Sequence, residues 1–302
     1  MIKKLKRGFM IKNKIILDGN KEADKMLFIS HAHEDHLPSR KTDTAITSAI
    51  TKEVANTRKS RKIINHICDV EEIKLHNAGH VPGAKMISFT IDEKKFLYTG
   101  DFSTEKTPLY EPAKPVKADV LIIDGTYISE EYIFPSQKQV IKELVDLLKD
   151  NKLNYVFAYS FGKAQTIAYW LQKYDIPYKV DESIYKINKT LEKFGYKFSG
   201  ENAGDVRHVK HEEGVILAPF TKRRHLNGKG IKIGISGWAL HPWFKNQQKL
   251  DYALPLSDHA DHEALIKFIK KVDPVIVFGF QTEKYAFEET IKEKLGIYAV
   301  AL

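Results

Sequence analysis

Phe28-Ile-Ser-His-Ala-His-Glu-Asp-His36 decides the fold, because it concentrates ligand-type side chains at the end of a strand-like segment. His31, His33, Asp35 and His36 place three imidazoles and a carboxylate within six residues. Imidazole nitrogen and carboxylate oxygen are the donors that a divalent metal accepts. In an extended segment alternate side chains share a face, so His31 and His33 can reach one ion together. A turn beyond them carries Asp35 and His36 to the other side of that ion, or to a second one. Lone histidines are usually surface or core residues; four ligand-type side chains at this spacing, after Met26-Leu-Phe-Ile-Ser30, are not.

Working outward, acidic and histidine residues recur at strand ends and glycine turns. Asp18 closes Lys14-Ile-Ile-Leu17, His80 lies in Asn77-Ala-Gly-His-Val-Pro-Gly-Ala84, and Asp101 lies in Tyr98-Thr-Gly-Asp. Asp124 ends the buried-strand pattern Asp119-Val-Leu-Ile-Ile-Asp, and His259 stands in Ser257-Asp-His-Ala-Asp261 ahead of a helix over 263–271. Helical periodicity over 136–149 and 163–172, alternating with strands such as Tyr155-Val-Phe-Ala158, marks the middle third as an α/β unit of its own. The last strand reads as Pro274 to Phe278, followed by a helix over 284–294.

The 302 residues suffice for two modest domains, and 43% hydrophobic with 29% charged residues describes an ordinary globular chain. A net charge of +9 leans toward a polyanionic partner, though charge speaks to association and not to fold. Cys68 is the only cysteine, which excludes an intramolecular disulfide and a cysteine-rich zinc site. No run approaches the ~18 apolar residues of a membrane span, and Met1 to Arg7 has no apolar stretch after its charges. The expectation is a soluble, cytoplasmic protein with no membrane partner.

These motifs together resemble the metallo-β-lactamase superfamily: Ile-Ile-Leu-Asp18-Gly, the His31–His36 cluster, Gly-His80-Val-Pro-Gly, and Thr-Gly-Asp101. More narrowly, Asp124-Gly-Thr-Tyr127, Gly162-Lys-Ala-Gln165 and Ser257-Asp-His-Ala-Asp261 resemble the β-CASP nucleases. Ile235-Ser-Gly-Trp-Ala239 points to the short prokaryotic ligase-associated DNA exonucleases, a subgroup often labelled messenger-RNA 3′-end-processing factors. The resemblance implies an α/β fold: an αββα metallo-β-lactamase sandwich from residues 1–130 and 255–302, with a β-CASP-type insertion over 131–254.

It also implies a metal-dependent phosphodiesterase, a single-strand DNA exonuclease that uses a zinc-activated hydroxide. An RNA-processing nuclease of the same fold is the nearest alternative. A lactonase or thioesterase, and a nucleic-acid-binding scaffold that has lost catalysis, stand further off. His31, His33 and His80 are implied to hold the first ion with Asp101 bridging, and Asp35 and His36 the second. Asp18 is implied to orient the imidazoles without touching an ion. Asp35, Asp124 and His259 are the catalytic candidates, His259 to protonate the leaving oxygen or to grip the scissile phosphate. RNA-cutting members carry a last-strand histidine in Val-His-Gly, where this chain has Val277-Phe278-Gly279. Phenylalanine ligates no metal, so one tight zinc site and one weak site are expected, with manganese as an admissible substitute. The same departure leans toward DNA over RNA, and the subgroup toward a repair or ligase partner. Lys222, Arg223, Arg224 and Lys229 are the candidate phosphate contacts, whereas Lys3–Arg7 reads as a solvated face.

Overall fold

The computed structural model describes residues 2–149, 152–226 and 230–302. They divide into two compact units, Met1–Ile133 with His259–Leu302, and Phe134–Asp258.

The first unit begins with β1 (Ile2–Lys4), β2 (Phe9–Ile11), β3 (Ile15–Leu17) and β4 (Met26–Phe28), hydrogen-bonded in that order into a four-stranded sheet. β5 (Thr42–Ala45), α1 (Ala49–Arg58) and β6 (Ile64–Ile67) follow, the two strands pairing with each other. Next come β7 (Lys74–Asn77), β8 (Lys85–Ile91), β9 (Lys94–Tyr98) and β10 (Val120–Asp124). Asp92 and Glu93 join β8 to β9 with φ of 50° and 61°. Two positive-φ residues between antiparallel strands make the type I′ turn, whose twist matches that of the flanking strands.

The second unit alternates helix and strand: α2 (Gln137–Leu147), β11 (Asn154–Ala158), α3 (Lys163–Lys173), β12 (Tyr178–Val180), α4 (Glu182–Glu192) and β13 (Glu201–Asn202). β14 (Val215–Pro219), β15 (Ile231–Ile235), α5 (Pro242–Gln247) and β16 (Tyr252–Leu254) complete it. Its six strands run parallel in the order β13-β12-β14-β11-β15-β16. Strands covered on both faces read as continuous apolar runs, and Tyr155-Val-Phe-Ala158 and Val215-Ile-Leu-Ala218 do so.

α6 (His262–Val272), β17 (Ile276–Phe280), α7 (Lys284–Leu295) and β18 (Tyr298–Ala301) return to the first unit. β17 and β18 complete its second sheet, ordered β18-β17-β10-β9-β8-β7. The core lies between the two large sheets of this unit: Phe9, Ile11, Ile15, Leu17 and Phe28 meet Ile87, Phe96, Tyr98, Ile122 and Phe278. The architecture is mixed α/β with several sheets, the fold class expected from the sequence. No helix among the described residues is long and apolar enough to cross a membrane.

One strand differs from the sequence reading, with consequences for the site. The strand read as the last one does not end at Phe278 but runs to Phe280, in register with Asp124 at the end of β10, and a further strand, β18, follows it. Phe278 is therefore mid-strand opposite Ile122, and its side chain is in the sheet-to-sheet core. It does not stand at the strand end where a ligand would be placed. Alternate residues of a strand face opposite sides, so reading the end two residues early keeps the face but misplaces the position along it.

Candidate metal centre

Three buried strand ends deliver the site: β4 leads into Ser30 and His31, β9 into Asp101, and β10 ends on Asp124. Two glycines permit the approach. Gly100, at φ 53°, brings its backbone against Ser30, where a Cβ would lie 2.6 Å from the Ser30 Cβ. Gly79, at φ 69°, precedes His80, and a Cβ there would lie 2.1 Å from the Ser103 carbonyl oxygen. Glycine enters this region without steric cost. On the far side the Ala260 N–H donates to the Phe102 carbonyl at 2.7 Å, which seats His259 beside Asp101.

Beneath the cluster lies the Asp18 carboxylate, 3% exposed and itself at φ 52°. Its Oδ1 accepts from the Ser30 N–H at 2.7 Å, while Oδ2 accepts from Ser30 Oγ (2.6 Å), His36 Nδ1 (2.7 Å) and the Tyr98 hydroxyl (2.8 Å). A carboxylate only accepts, so His36 Nδ1 carries a proton and Nε2 is the nitrogen turned into the site. Ser30 Oγ spends its hydrogen on Asp18 and accepts from His31 Nδ1 at 2.9 Å. The His31 Nε2 lone pair is thereby also left facing inward. Ser30 was no candidate in the sequence; a serine among histidines has no signal of its own until Asp18 is seen beneath it.

The inward atoms converge. One ligand atom each from His31, His33, His80 and Asp101 lie within 4.8 Å of one another, and so do atoms of Asp101, Asp124 and His259. Asp101 Oδ2 is 3.6 Å from both His31 Nε2 and His80 Nε2, and His80 Nε2 is 3.1 Å from His33 Nδ1. Zinc bonds of about 2.0–2.1 Å in a tetrahedron give ligand–ligand edges of roughly 3.3 Å, close to these separations. His31 Nε2 is also buried without a hydrogen-bond partner. Buried polar atoms are rarely left so, and the donor set fits a divalent cation.

Charge in the cluster is polarised. Burial, and then the imidazoles of His36, His33, His80 and His259, hold His31 well below the ordinary histidine value. Burial opposes the charge on His36 as well, but Asp101 and Asp18 raise it well above that value. Asp101 is raised by burial against the pull of His36. For Asp35 burial is outweighed by His36 and His33, which lower it.

The implied second ion set is not drawn together to the same degree. Asp35 and His36 belong to neither convergent group. The Asp35 side chain is 67% exposed with Oδ2 3.6 Å from His36 Nε2, while His36 Nε2 is 3.2 Å from Asp101 Oδ1. Gln281 enters here, just beyond β17, with Nε2 3.2 Å from His36 Nε2.

Asp124 and His259 form a pair. His259 Nδ1 donates to Asp124 Oδ2 at 2.7 Å, and His259 Nε2 points to Asp101 Oδ2 at 3.9 Å. Asp124 Oδ1 accepts from the Thr126 N–H and Oγ1 at 2.9 and 2.6 Å. The helix following His259 is capped by Asp261, whose side chain accepts from the Ala264 N–H, so capping makes no use of the imidazole.

The basic candidates fare differently. Lys222 is an internal partner: its Nζ lies 2.8 Å from Asp181, which is fully buried, and 3.0 Å from Asp205. Arg223 is only 7% exposed, and burial followed by Arg224 lowers its pKa. Arg224 is exposed. Lys229 lies outside the described residues. Arg7, read from the sequence as part of a solvated face, instead donates from Nη1 to the carbonyls of Glu34 (3.0 Å) and Leu37 (2.9 Å), bracing the histidine loop.

No family model matches the chain. Among characterised proteins it is 29% identical to a probable DNA ligase of Opitutus terrae, over 92% of this chain and 29% of that protein. It is 25% identical to an RNase J-like protein of Methanocaldococcus jannaschii, over 81% and 71% of the two chains. A shorter match, 32% identical, covers 41% of this chain and 13% of the mouse DNA cross-link repair 1A protein. The chain thus spans under a third of the length of the ligase relative. A crystal structure of a protein of unknown function from Enterococcus faecalis shares the fold, with a TM-score of 0.62 at 18% identity over 94% of this chain and 81% of that one. With the histidine–aspartate cluster at its strand ends and relatives of these names, the chain is similar to the β-CASP nuclease group of the metallo-β-lactamase superfamily.

Proposed function

We propose that the protein is a metal-dependent phosphodiesterase acting on nucleic acid, with single-stranded DNA degraded from an end as its reaction. The single observation that carries this reading is the juxtaposition of two groups through one residue. The set His31, His33, His80 and Asp101 shares Asp101 with the Asp124–His259 pair. A cation-holding set beside an acid–base pair is what phosphodiester hydrolysis requires. Residues 131–254 are assigned to the β-CASP-type insertion. The similarity to a probable DNA ligase over 92% of the chain supports DNA over RNA as substrate.

His31, His33, His80 and Asp101 would hold a zinc ion. When bound, the ion supplies an acidified water and a Lewis acid for the phosphoryl oxygens. Asp18 and Ser30 keep His31 and His36 in the tautomers that present Nε2. His259 donates from Nδ1 to Asp124, which turns Nε2 toward the site; once the ring takes up a second proton there, it can pass that proton to the departing oxygen. Asp124 is a positioning residue: it orients the His259 ring, while Thr126 fixes the carboxylate. Asp35, on the open rim, is placed to meet the second cation or the incoming strand.

The test is cleavage of end-labelled single-stranded DNA and sequence-matched RNA with added zinc or manganese, beside a His33→Ala/Asp35→Ala control and His259→Asn. Stepwise shortening of DNA by the wild type and not by the His33→Ala/Asp35→Ala control, with His259→Asn reducing kcat and sparing KM, is expected. RNA loss with DNA spared would transfer the reading to RNA processing. Metal-loaded protein that leaves both strands intact would end it.

A further inference from the structure

Gln281 leaves β17 at φ 54°, a region that residues other than glycine enter uncommonly. Backbone of this kind persists where the surroundings over-determine it, and it clusters at functional sites. The Gly125 N–H donates to the Phe280 carbonyl at 2.9 Å, pinning the end of β17 to the end of β10 just before this turn. The turn sends the Gln281 amide into the histidine loop. Its Nε2 lies 3.2 Å from His36 Nε2 and 3.5 Å from Asp35 Oδ2, and its Oε1 lies 3.3 Å from Thr126 Oγ1. It thus lies between Asp35 and His36, the two side chains that remain apart from the convergent set.

We infer that Gln281 is the missing ligand of a second cation position, and that its amide oxygen makes this position selective for manganese over zinc. The inference rests on reading the cluster as a metal centre, as proposed above. The donors available there are the carboxylates of Asp35 and Asp101, the Gln281 amide, and one nitrogen, His36 Nε2. A half-turn of the amide about its last bond exchanges nitrogen for oxygen without moving the backbone. Carboxylate and carbonyl oxygens suit manganese and magnesium, whereas imidazole suits zinc. The neighbouring set, three imidazoles and Asp101, keeps the nitrogen-rich composition that zinc prefers. The two positions therefore load with different metals. The strand-end position of Gln281, not the mid-strand Phe278, sets that difference.

The test is occupancy, read without turnover. Protein carrying one equivalent of zinc is titrated with manganese, following the electron paramagnetic resonance signal of the free ion while bound zinc is quantified. Asn tolerates the left-handed backbone, so Gln281→Asn preserves the turn and withdraws the amide by one methylene. Wild type should take up one manganese with its zinc retained, and Gln281→Asn should weaken that uptake at least ~10-fold. Gln281→His should let a second equivalent of zinc displace the manganese. Manganese affinity within about twofold of wild type in Gln281→Asn overturns the inference. Tighter binding in that variant does so too, since the amide would then be an obstruction, and so does a wild type that takes up no manganese. Manganese bound through Gln281 without cleavage of any nucleic acid leaves this inference standing and removes the proposed function. Cleavage alongside unchanged occupancy in Gln281→Asn does the reverse.

Discussion

Asp18→Asn isolates what the buried carboxylate does, because asparagine keeps the shape and tolerates the positive φ of 52°. Asp18 Oδ2 receives three donors, from Ser30 Oγ, His36 Nδ1 and Tyr98, and Oδ1 receives the Ser30 N–H. An amide has one oxygen. Turned toward the three donors, it sets its own NH2 against the Ser30 N–H; turned the other way, it sets the NH2 against all three. At least one buried donor goes unmatched, at roughly 1–3 kcal/mol, and the bonds that remain lose their charge assistance. We expect a destabilisation of about 2–4 kcal/mol by urea denaturation, a large share of the ~5–15 kcal/mol that such a protein commands. Cation binding should weaken by about 10–100-fold, since the partners that orient ligating imidazoles are typically worth that much. Both effects are measurable on one preparation, by denaturation of the stripped protein and calorimetric titration with zinc. A variant within about 0.5 kcal/mol of wild type, the range of inert surface changes, with unchanged zinc affinity would refute the orienting role.

Four further outcomes follow from the same geometry. Phe278→His should cost about 3 kcal/mol, because a polar ring replaces a packed one in the sheet-to-sheet core, and metal analysis should show no added cation. Lys222→Met should destabilise by about 3 kcal/mol in urea by stranding the buried Asp181, while the salt dependence of DNA binding keeps its slope; a slope reduced by about one would restore Lys222 as a phosphate contact. His36 is held above the ordinary histidine value, so in ion-free protein its stabilisation is complete below about pH 6.5 and is lost as pH climbs through the raised value. A cation at His36 Nε2 must displace that proton, so manganese affinity should rise up to ~10-fold per pH unit until the pH reaches the raised value and level off above it; a profile flat below that value would contradict this. His31 acts the other way, its lowered value making ion-free protein lose stability as pH falls below the same point.

What the sequence disclosed and what it withheld divide along a physical line. Strand ends announce themselves locally: an apolar run stopping at an acid or a glycine gave Asp18, Asp101 and Asp124, and ligand spacing gave the His31–His36 loop. Charge runs do not announce their partners. Lys222 and Arg223 looked like solvent-facing cations because Asp181, the buried carboxylate that claims Lys222, lies 41 residues away in the chain. Arg7 was hidden for the same reason, its partners being backbone carbonyls of a loop that only the fold brings near.

Gln281 is the instructive omission. A glutamine after an apolar strand carries no periodicity, charge or spacing that singles it out, and its placement depends on a strand boundary, the least legible quantity in any sequence. Ending β17 at Phe278 makes that ring a failed ligand; ending it at Phe280, as the register with Asp124 requires, returns the ring to the core and brings the next side chain to His36. Two residues of register thus change the question asked of the site. The issue is no longer which ligand was lost from the last strand. It is what an amide, positioned by a left-handed turn between a histidine and an aspartate, does for a second cation. The substrate leaning once tied to Phe278 then has no support from that position, and rests on the relatives and on the cleavage assay.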